Sequence, residues 1–238
     1  MSPVASVAPE SADREAAAGR AATAFAWLWI AGTVFAGLAL TLLATLPPLP
    51  TDPDSVSGWV GDGAFPLTWA GELLFFAIIA WGAGAAGVVG AHAAGAPVRR
   101  ALSSAALGVV LVGFAIILLA LGRLVYPVAD IDLTAGSIVL LASVVSGTVH
   151  LSLLALAVVA VSLPVGMRSL RARRATVAAG IAFGVLFAVG SFPWLLPTWS
   201  NVVVAGAVAG WGVFAGLSAL ARDRRAARSR GSSRRGTR

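Results

Sequence analysis

The sequence predicts an all-α polytopic membrane bundle of six transmembrane helices with both termini in the cytoplasm, and three observations carry that prediction. Hydrophobic residues make up 58% of the 238 and charged residues 11%, with a mean hydropathy of +0.90, far from the composition of soluble domains. Six apolar runs each reach about the 20 residues that a helix needs to cross a hydrocarbon core roughly 30 Å thick. The basic residues, all of them Arg, are sorted along the chain. Arg14 and Arg20 lie in the first tail, Arg99 and Arg100 in the second inter-helix loop, Arg168, Arg171, Arg173 and Arg174 in the fourth, and the rest from Arg222 onward. Only Arg123 falls elsewhere, so the positive-inside rule places both termini in the cytoplasm and requires an even number of crossings.

The tail Met1 to Ala22 has Pro3, Pro9 and the mixed-charge run Glu10, Asp13, Arg14, Glu15, and reads as a solvated segment with helix from Ser11 onward. The apolar run Thr23 to Leu46 is too long for the core of a cleavable signal, so it reads as the first membrane helix. Trp27 and Trp29 sit near its cytoplasmic end, where indole rings favour the interface. Pro47 to Pro66 reads as the longest external loop, its prolines opposing a regular helix. Asp52 and Asp54 before Ser57 and Gly58 are spaced somewhat as in a calcium loop. Val56 stands where a ligand belongs and no glutamate closes the site, so a solvated turn is expected.

The second helix, about Leu67 to Gly90, ends in a Gly and Ala ladder suited to close helix approach. The third, about Ala101 to Val125, returns outward. If the two form a hairpin, Glu72 comes within about one turn of Arg123, an arrangement that suggests an ion pair near the outer rim, with snorkelling to the headgroups as the alternative.

The fourth helix, Gly136 to Leu163, is the one apolar run with a titratable group near its middle. Ser143, Ser146, Gly147 and His150 share one face within about 100°, so they are expected to face protein or water rather than lipid. The plainer expectation is that His150 bonds across the bundle while the serines bond back to their own helix. The other is a cavity in which imidazole responds to protons or contacts a ligand.

The fifth helix, about Ala175 to Leu196, carries Gly180 and Gly184 at GxxxG spacing and is interrupted by Pro193. The sixth, about Val202 to Ala221, carries Gly206 with Gly210 and Gly212 with Gly216, so both helices are expected to pack through small residues against each other or a partner. Trp59, Trp69, Tyr126, Trp194 and Trp199 are placed to form an external aromatic belt. Gly32, Thr33, Val34 and Gly147, Thr148, Val149 echo each other across two three-helix halves, a short match in Ala, Val and Leu-rich sequence whose default reading is chance. Residues 222–238 hold eight Arg and read as a disordered cytoplasmic anchor that meets anionic lipid headgroups.

Several chemistries fail on inventory. With no Cys there is no disulfide, thiolate metal site or redox pair, and with no Lys no Schiff-base mechanism. Haem ligation needs two imidazoles at one depth, whereas His92 and His150 lie about 15 Å apart in depth. Val144 replaces the glycine of the intramembrane serine protease motif, a Ser146 and His150 dyad lacks oxyanion donors, and no HExxH occurs. Nothing resembles a nucleic-acid motif despite the net charge of +7. No cofactor or metal is expected.

Over Thr23 to Ala221 the layout resembles uncharacterised six-helix integral membrane proteins of high-GC bacteria. The resemblance implies the helical bundle and the plasma membrane and brings no assigned activity. The function expected is that of a non-enzymatic accessory or regulatory membrane subunit, which meets membrane lipids and a partner membrane protein or a second copy. The alternatives are a small-molecule permease with a pathway past His150 and, third, an intramembrane enzyme.

Overall fold

Hydrocarbon offers the backbone no hydrogen-bond partner, so apolar runs of this length must close their own bonds as helices. The computed structural model describes residues 8–93, 96–126, 128, 132–163 and 170–235. It contains α1 (Ala8–Ala44), α2 (Pro53–Asp62), α3 (Ala64–His92), α4 (Pro97–Val125), α5 (Ala135–Ser162), α6 (Leu170–Gly190) and α7 (Thr198–Arg235). Among the described residues five stretches are long and apolar enough to cross a membrane, namely Ala17–Ala44, Ala64–His92, Pro97–Val125, Ala135–Ser162 and Thr198–Arg222. The chain is therefore a helical, multi-pass membrane protein. The apolar part of α6, Thr176–Gly190, is shorter. Pro3, Arg168 and the last residues of the basic tail, 236–238, lie outside the described residues.

Local chemistry sets the helix ends. Pro97 opens α4 at a position that needs no backbone donor. The Thr134 hydroxyl caps α5 by accepting from the Ser137 amide at 3.2 Å. One expectation fails here: the stretch read as a solvated turn holds α2. Pro53 stands at the first turn, where proline starts a helix rather than breaking one. The Ser55 hydroxyl donates to Asp52 Oδ2 at 2.8 Å, Val56 is buried, and Trp59 Nε1 donates to the Pro47 carbonyl at 2.9 Å. α2 packs against α5 and α3. At the other end of the chain, α7 continues through the basic segment to Arg235, in place of the expected disordered tail. Arg and Ala are good helix formers, and no proline intervenes.

The six long helices alternate in direction and form a ring in the order α1, α3, α4, α5, α6, α7, with α6 and α7 meeting more sparingly than the other neighbours. Small residues set the closest approaches. A methyl group on Gly84 would lie 2.5 Å from the Trp29 amide nitrogen, and one on Gly32 2.8 Å from the Trp81 amide nitrogen, so α1 and α3 touch backbone to backbone.

Five rings from five helices fill the middle of the ring. Trp81 stacks on Phe114 at 5.7 Å and on Trp29 at 5.4 Å, Trp29 meets Trp211 at 6.3 Å, and Trp211 meets Phe187 at 6.2 Å. The indole donors of Trp29 and Trp81 are satisfied internally, as an apolar interior demands. Trp81 Nε1 donates to Thr33 Oγ1, which donates to the Trp29 carbonyl, while Trp29 Nε1 donates to the Gly212 carbonyl, each at 2.8 Å. The sequence reading put Trp29 at the interface beside Trp27. Instead Trp27 is 53% exposed and Trp29 0%, because two residues along a helix turn a side chain by about 200°.

Candidate functional site

Between this aromatic layer and the end that carries α2 lies a cavity of about 740 Å³. The end of α1, α2, the start of α3, the end of α4, α5 as far as Leu153, the segment after α6 and the start of α7 all contribute to its wall. Leu40, Leu43, Leu67, Leu121, Leu124, Leu153 and Val204 make most of the wall apolar, and no acidic or basic side chain lines it among the described residues. Pro47, Pro48, Ser143, Gly147, Trp194 and Thr198 are exposed and mark where it opens. α1, α3, α4, α6 and α7 each enter the aromatic layer farther from the α2 end than they line the cavity, so the layer lies beyond the cavity's inner end, and none of its rings belongs to the cavity wall.

Three members of the polar stripe, Ser143, Ser146 and Gly147, line this cavity. The Ser143 hydroxyl donates to the Val139 carbonyl at 2.8 Å, the back-bonding expected of a serine in a membrane helix, which leaves its lone pairs as acceptors. His150, the fourth member, turns to the segment after α6. Its Nδ1 donates to the Ser191 carbonyl at 2.8 Å, and its ring lies 4.8 Å from that of Phe192 and 5.5 Å from that of Trp194. His150 thus bonds across the bundle and braces the Pro193–Trp194 wall from behind. Pro193 interrupts the helix in that segment as expected, since α6 ends at Gly190.

Asn201, which drew no notice in the sequence, lies in the wall on the first turn of α7, and its Nδ2 donates to the Pro193 carbonyl at 3.3 Å. Its Oδ1 is buried without a partner among the described residues. Asn201 is the only Asn or Gln in the chain, a signal that a search for charges and histidines passes over.

For the expected pair of Glu72 and Arg123, the contact seen on the Glu72 side is with Tyr126, and Arg123 has an interaction of its own. Gly71 faces Leu118 and Leu121, close to the expected hairpin register, yet the Glu72 carboxylate meets the Tyr126 hydroxyl at 3.4 Å. Tyr126 leaves α4 in extended backbone (φ −101°, ψ 124°), and Glu72 is exposed on the outside of the ring. The packing glycines divide. Gly180 and Gly184 face Ala160, Val161 and Ala157 of α5, Gly212 and Gly216 face Thr33, Ile30 and Trp29 of α1, and Gly206 and Gly210 have open space. Neither GxxxG helix uses its motif against the other. Thr33 and Thr148 also differ in role, since Thr33 bridges two tryptophans while Thr148 packs beside Gly113.

At the opposite end His92 is buried, its Nδ1 donating to the Val88 carbonyl at 2.9 Å, and Arg222 Nη1 donates to the Ala91 carbonyl at 2.8 Å, tying α7 to α3. Trp69, Tyr126, Trp194 and Trp199 are exposed at the α2 end and Trp59 is half-buried there, the positions of an aromatic belt. Comparison with protein-family models, curated proteins and solved structures gives no match.

Proposed function

We propose that the chain is a non-enzymatic protein of the bacterial plasma membrane that crosses six times with both termini in the cytoplasm and presents a small-molecule cavity to the outside, as an accessory or regulatory subunit. The observation that carries this reading is the cavity lined by Ser143, Ser146 and Gly147. Its volume falls in the range of about 300–1,000 Å³ typical of small-molecule sites.

Connectivity and charge support the topology. α5 and α7 both start at the α2 end, so α6 must carry the chain back between them, and the segment after it adds Phe192, Trp194 and Leu195 to its apolar length. Arg20, Arg99, Arg100, Arg174, Arg222 and Arg224 sit toward one end of the ring and Asp52, Asp54, Asp62 and Asp132 toward the other, a charge distribution that supports reading the α2 end as the outer one. The Arg-rich end of the chain meets anionic headgroups at about 1 kcal/mol for each Arg near the surface.

Cysteine accessibility tests the reading, because the chain has no native Cys. Ser143→Cys, Ser146→Cys and Gly147→Cys, one at a time, are expected to react with a membrane-impermeant maleimide added outside. Leu156→Cys, at a fully buried position, is the unreactive control. Protection of all three cavity positions in folded protein would overturn the reading.

A permease is the second reading, favoured by the depth of the cavity, which reaches Leu153 beyond the midpoint of α5. Its gate would be the aromatic layer. Reaction of Leu153→Cys from the cytoplasmic side, under conditions where Leu156→Cys stays silent, is the result that selects it.

A further inference from the structure

One helix of the ring stops short on the side where the cavity opens. The apolar part of α6, Thr176–Gly190, covers about 22 Å by helix rise, against the roughly 30 Å of a hydrocarbon core. It packs on Ala157 and Val161 of α5, and the Ser191 carbonyl just after it accepts from His150 Nδ1. Those three residues of α5 share a side, within about 80°, with Ser143 and Gly147, which lie farther out, beyond the end of α6. Ser143 and Gly147 are exposed, and no atom among the described residues lies within 4 Å of where a methyl group on Gly147 would stand. The cavity therefore opens sideways at the place that a longer α6 would cover.

By helix rise Ser143 and Gly147 lie about 8 Å and 2 Å from the midpoint of α5, a membrane span, and hydrocarbon reaches roughly 15 Å to either side of a bilayer's midplane. This side of the opening meets lipid tails, whereas its rim at Pro47 and Pro48 meets the external water. Behind it the wall runs along α5 from Ala142 to Leu153, about 16 Å, close to the tail length of one leaflet. Val145 and Val149 are half-buried although they share a side of α5, within about 40°, with the buried Ile138 and Leu156, so the surface they keep belongs to the cavity. Water is poorly held by such a wall, since each molecule needs about two to four polar partners, while a hydrocarbon chain gains dispersion contacts along its length.

Resting on the cavity and the orientation proposed above, we infer that the cavity takes one acyl chain of an outer-leaflet lipid, which enters sideways past Ser143 and Gly147. Among the described residues no basic side chain lines the wall to pair a phosphate, so the headgroup stays with those of the leaflet. The chain exchanges with the bilayer, and in its absence the wall is open to reagents from the outer rim.

The test uses the full chain in phosphatidylcholine nanodiscs with a trace of phosphatidylcholine whose acyl chain ends in a diazirine, labelled residues being mapped by tandem mass spectrometry. Val145 and Val149 report a chain inside the ring. Leu140 and Leu151, 64% and 50% exposed on the opposite side of α5, report the surrounding lipid. All four are expected to be labelled. Gly147→Trp sets an indole in the open space at the mouth and is expected to abolish labelling of Val145 and Val149 while Leu140 and Leu151 keep theirs. Gly147→Ala, which leaves the mouth open, is expected to keep all four.

Labelling of Leu140 and Leu151 alone in the unaltered chain, or wall labelling that survives Gly147→Trp in folded protein, overturns the inference. The cavity reading then stands if the cysteines at Ser143, Ser146 and Gly147 still react with external maleimide. If Gly147→Trp does not fold, labelling of Val145 and Val149 in the unaltered chain decides. Wall labelling with all three cysteines protected supports the lipid site and overturns only the opening to external water; neither wall labelling nor maleimide reaction overturns both.

Discussion

Around Trp29 the helices touch through backbone, with Gly32 and Gly84 replacing side chains and the indole donors of Trp29 and Trp81 both paired. Around Ser146, one half of the ring away, segments from along the whole ring surround a space instead. Both regions are built from the same alphabet of Ala, Gly, Leu, Val and Trp, so composition does not explain the difference. What differs is where the small residues stand. In the inner half they face a neighbouring backbone and let large rings converge; in the outer half Gly147 faces open space, with no atom within 4 Å of where a methyl group would stand. A membrane interior gains little from hiding apolar surface from lipid, so close packing is what holds the inner half, and the outer half is free to keep a cavity.

The largest test of this contrast is Trp29→Ala. Removing a fully buried Trp costs about 3 to 5 kcal/mol in soluble cores, and the lower end applies here because lipid replaces water as the reference. The expected outcome is a loss of about 3 kcal/mol in reversible unfolding in detergent, with the Gly212 carbonyl left without its donor. Leu43→Ala in the cavity wall is expected to cost less than half as much, since one side of that residue already borders space. Equal losses at the two sites would break the contrast.

Gly84→Val comes next. Its Cβ would lie 2.5 Å from the Trp29 amide nitrogen and 2.8 Å from the Phe25 carbonyl oxygen, backbone atoms that cannot swing aside, so about 2 to 3 kcal/mol is expected. His150 follows. His150→Phe keeps a ring against Phe192 and Trp194 but removes the bond to the Ser191 carbonyl, an expected loss of about 1 kcal/mol. The same substitution is expected to raise maleimide labelling of Trp194→Cys, because the bracing of that segment is gone; unchanged labelling would show that the wall stands without it.

How far these sites were legible depends on what kind of signal each one leaves. Membrane character and the polar stripe on α5 were readable, because length, hydropathy and a 3.6-residue period are local properties. A cavity beside that stripe was legible only as one of two alternatives, since its wall draws on α1, α4, α5 and α7 together and no single helix records that. Trp29 was misplaced because interface preference was weighed without knowing which side of α1 faces α3. Pro47 to Pro66 was misjudged because the position of Pro53 within a helix, not its presence, decides whether it breaks one. The partner of Glu72 depended on how α4 ends at Tyr126, a detail that hairpin register does not reach.

The smallest expected effect tests the same contrast from the lipid side. Gly206 and Gly210 carry a GxxxG spacing as regular as that of Gly212 and Gly216, yet only the second pair meets another helix. Gly212→Leu would drive a side chain into Thr33 and with it into the bridge between Trp29 and Trp81. For Gly206→Leu with Gly210→Leu, no atom among the described residues lies within 4 Å of either new Cβ, so stability is expected to change by no more than about 0.5 kcal/mol. If the double substitution is instead strongly felt, as a loss of dimer in bilayer cross-linking at unchanged monomer stability, the open glycine face is an interface between copies, and the spacing has a partner that a single chain does not contain. A motif of small residues states only that something can come close; the neighbour that does so is determined by the rest of the ring.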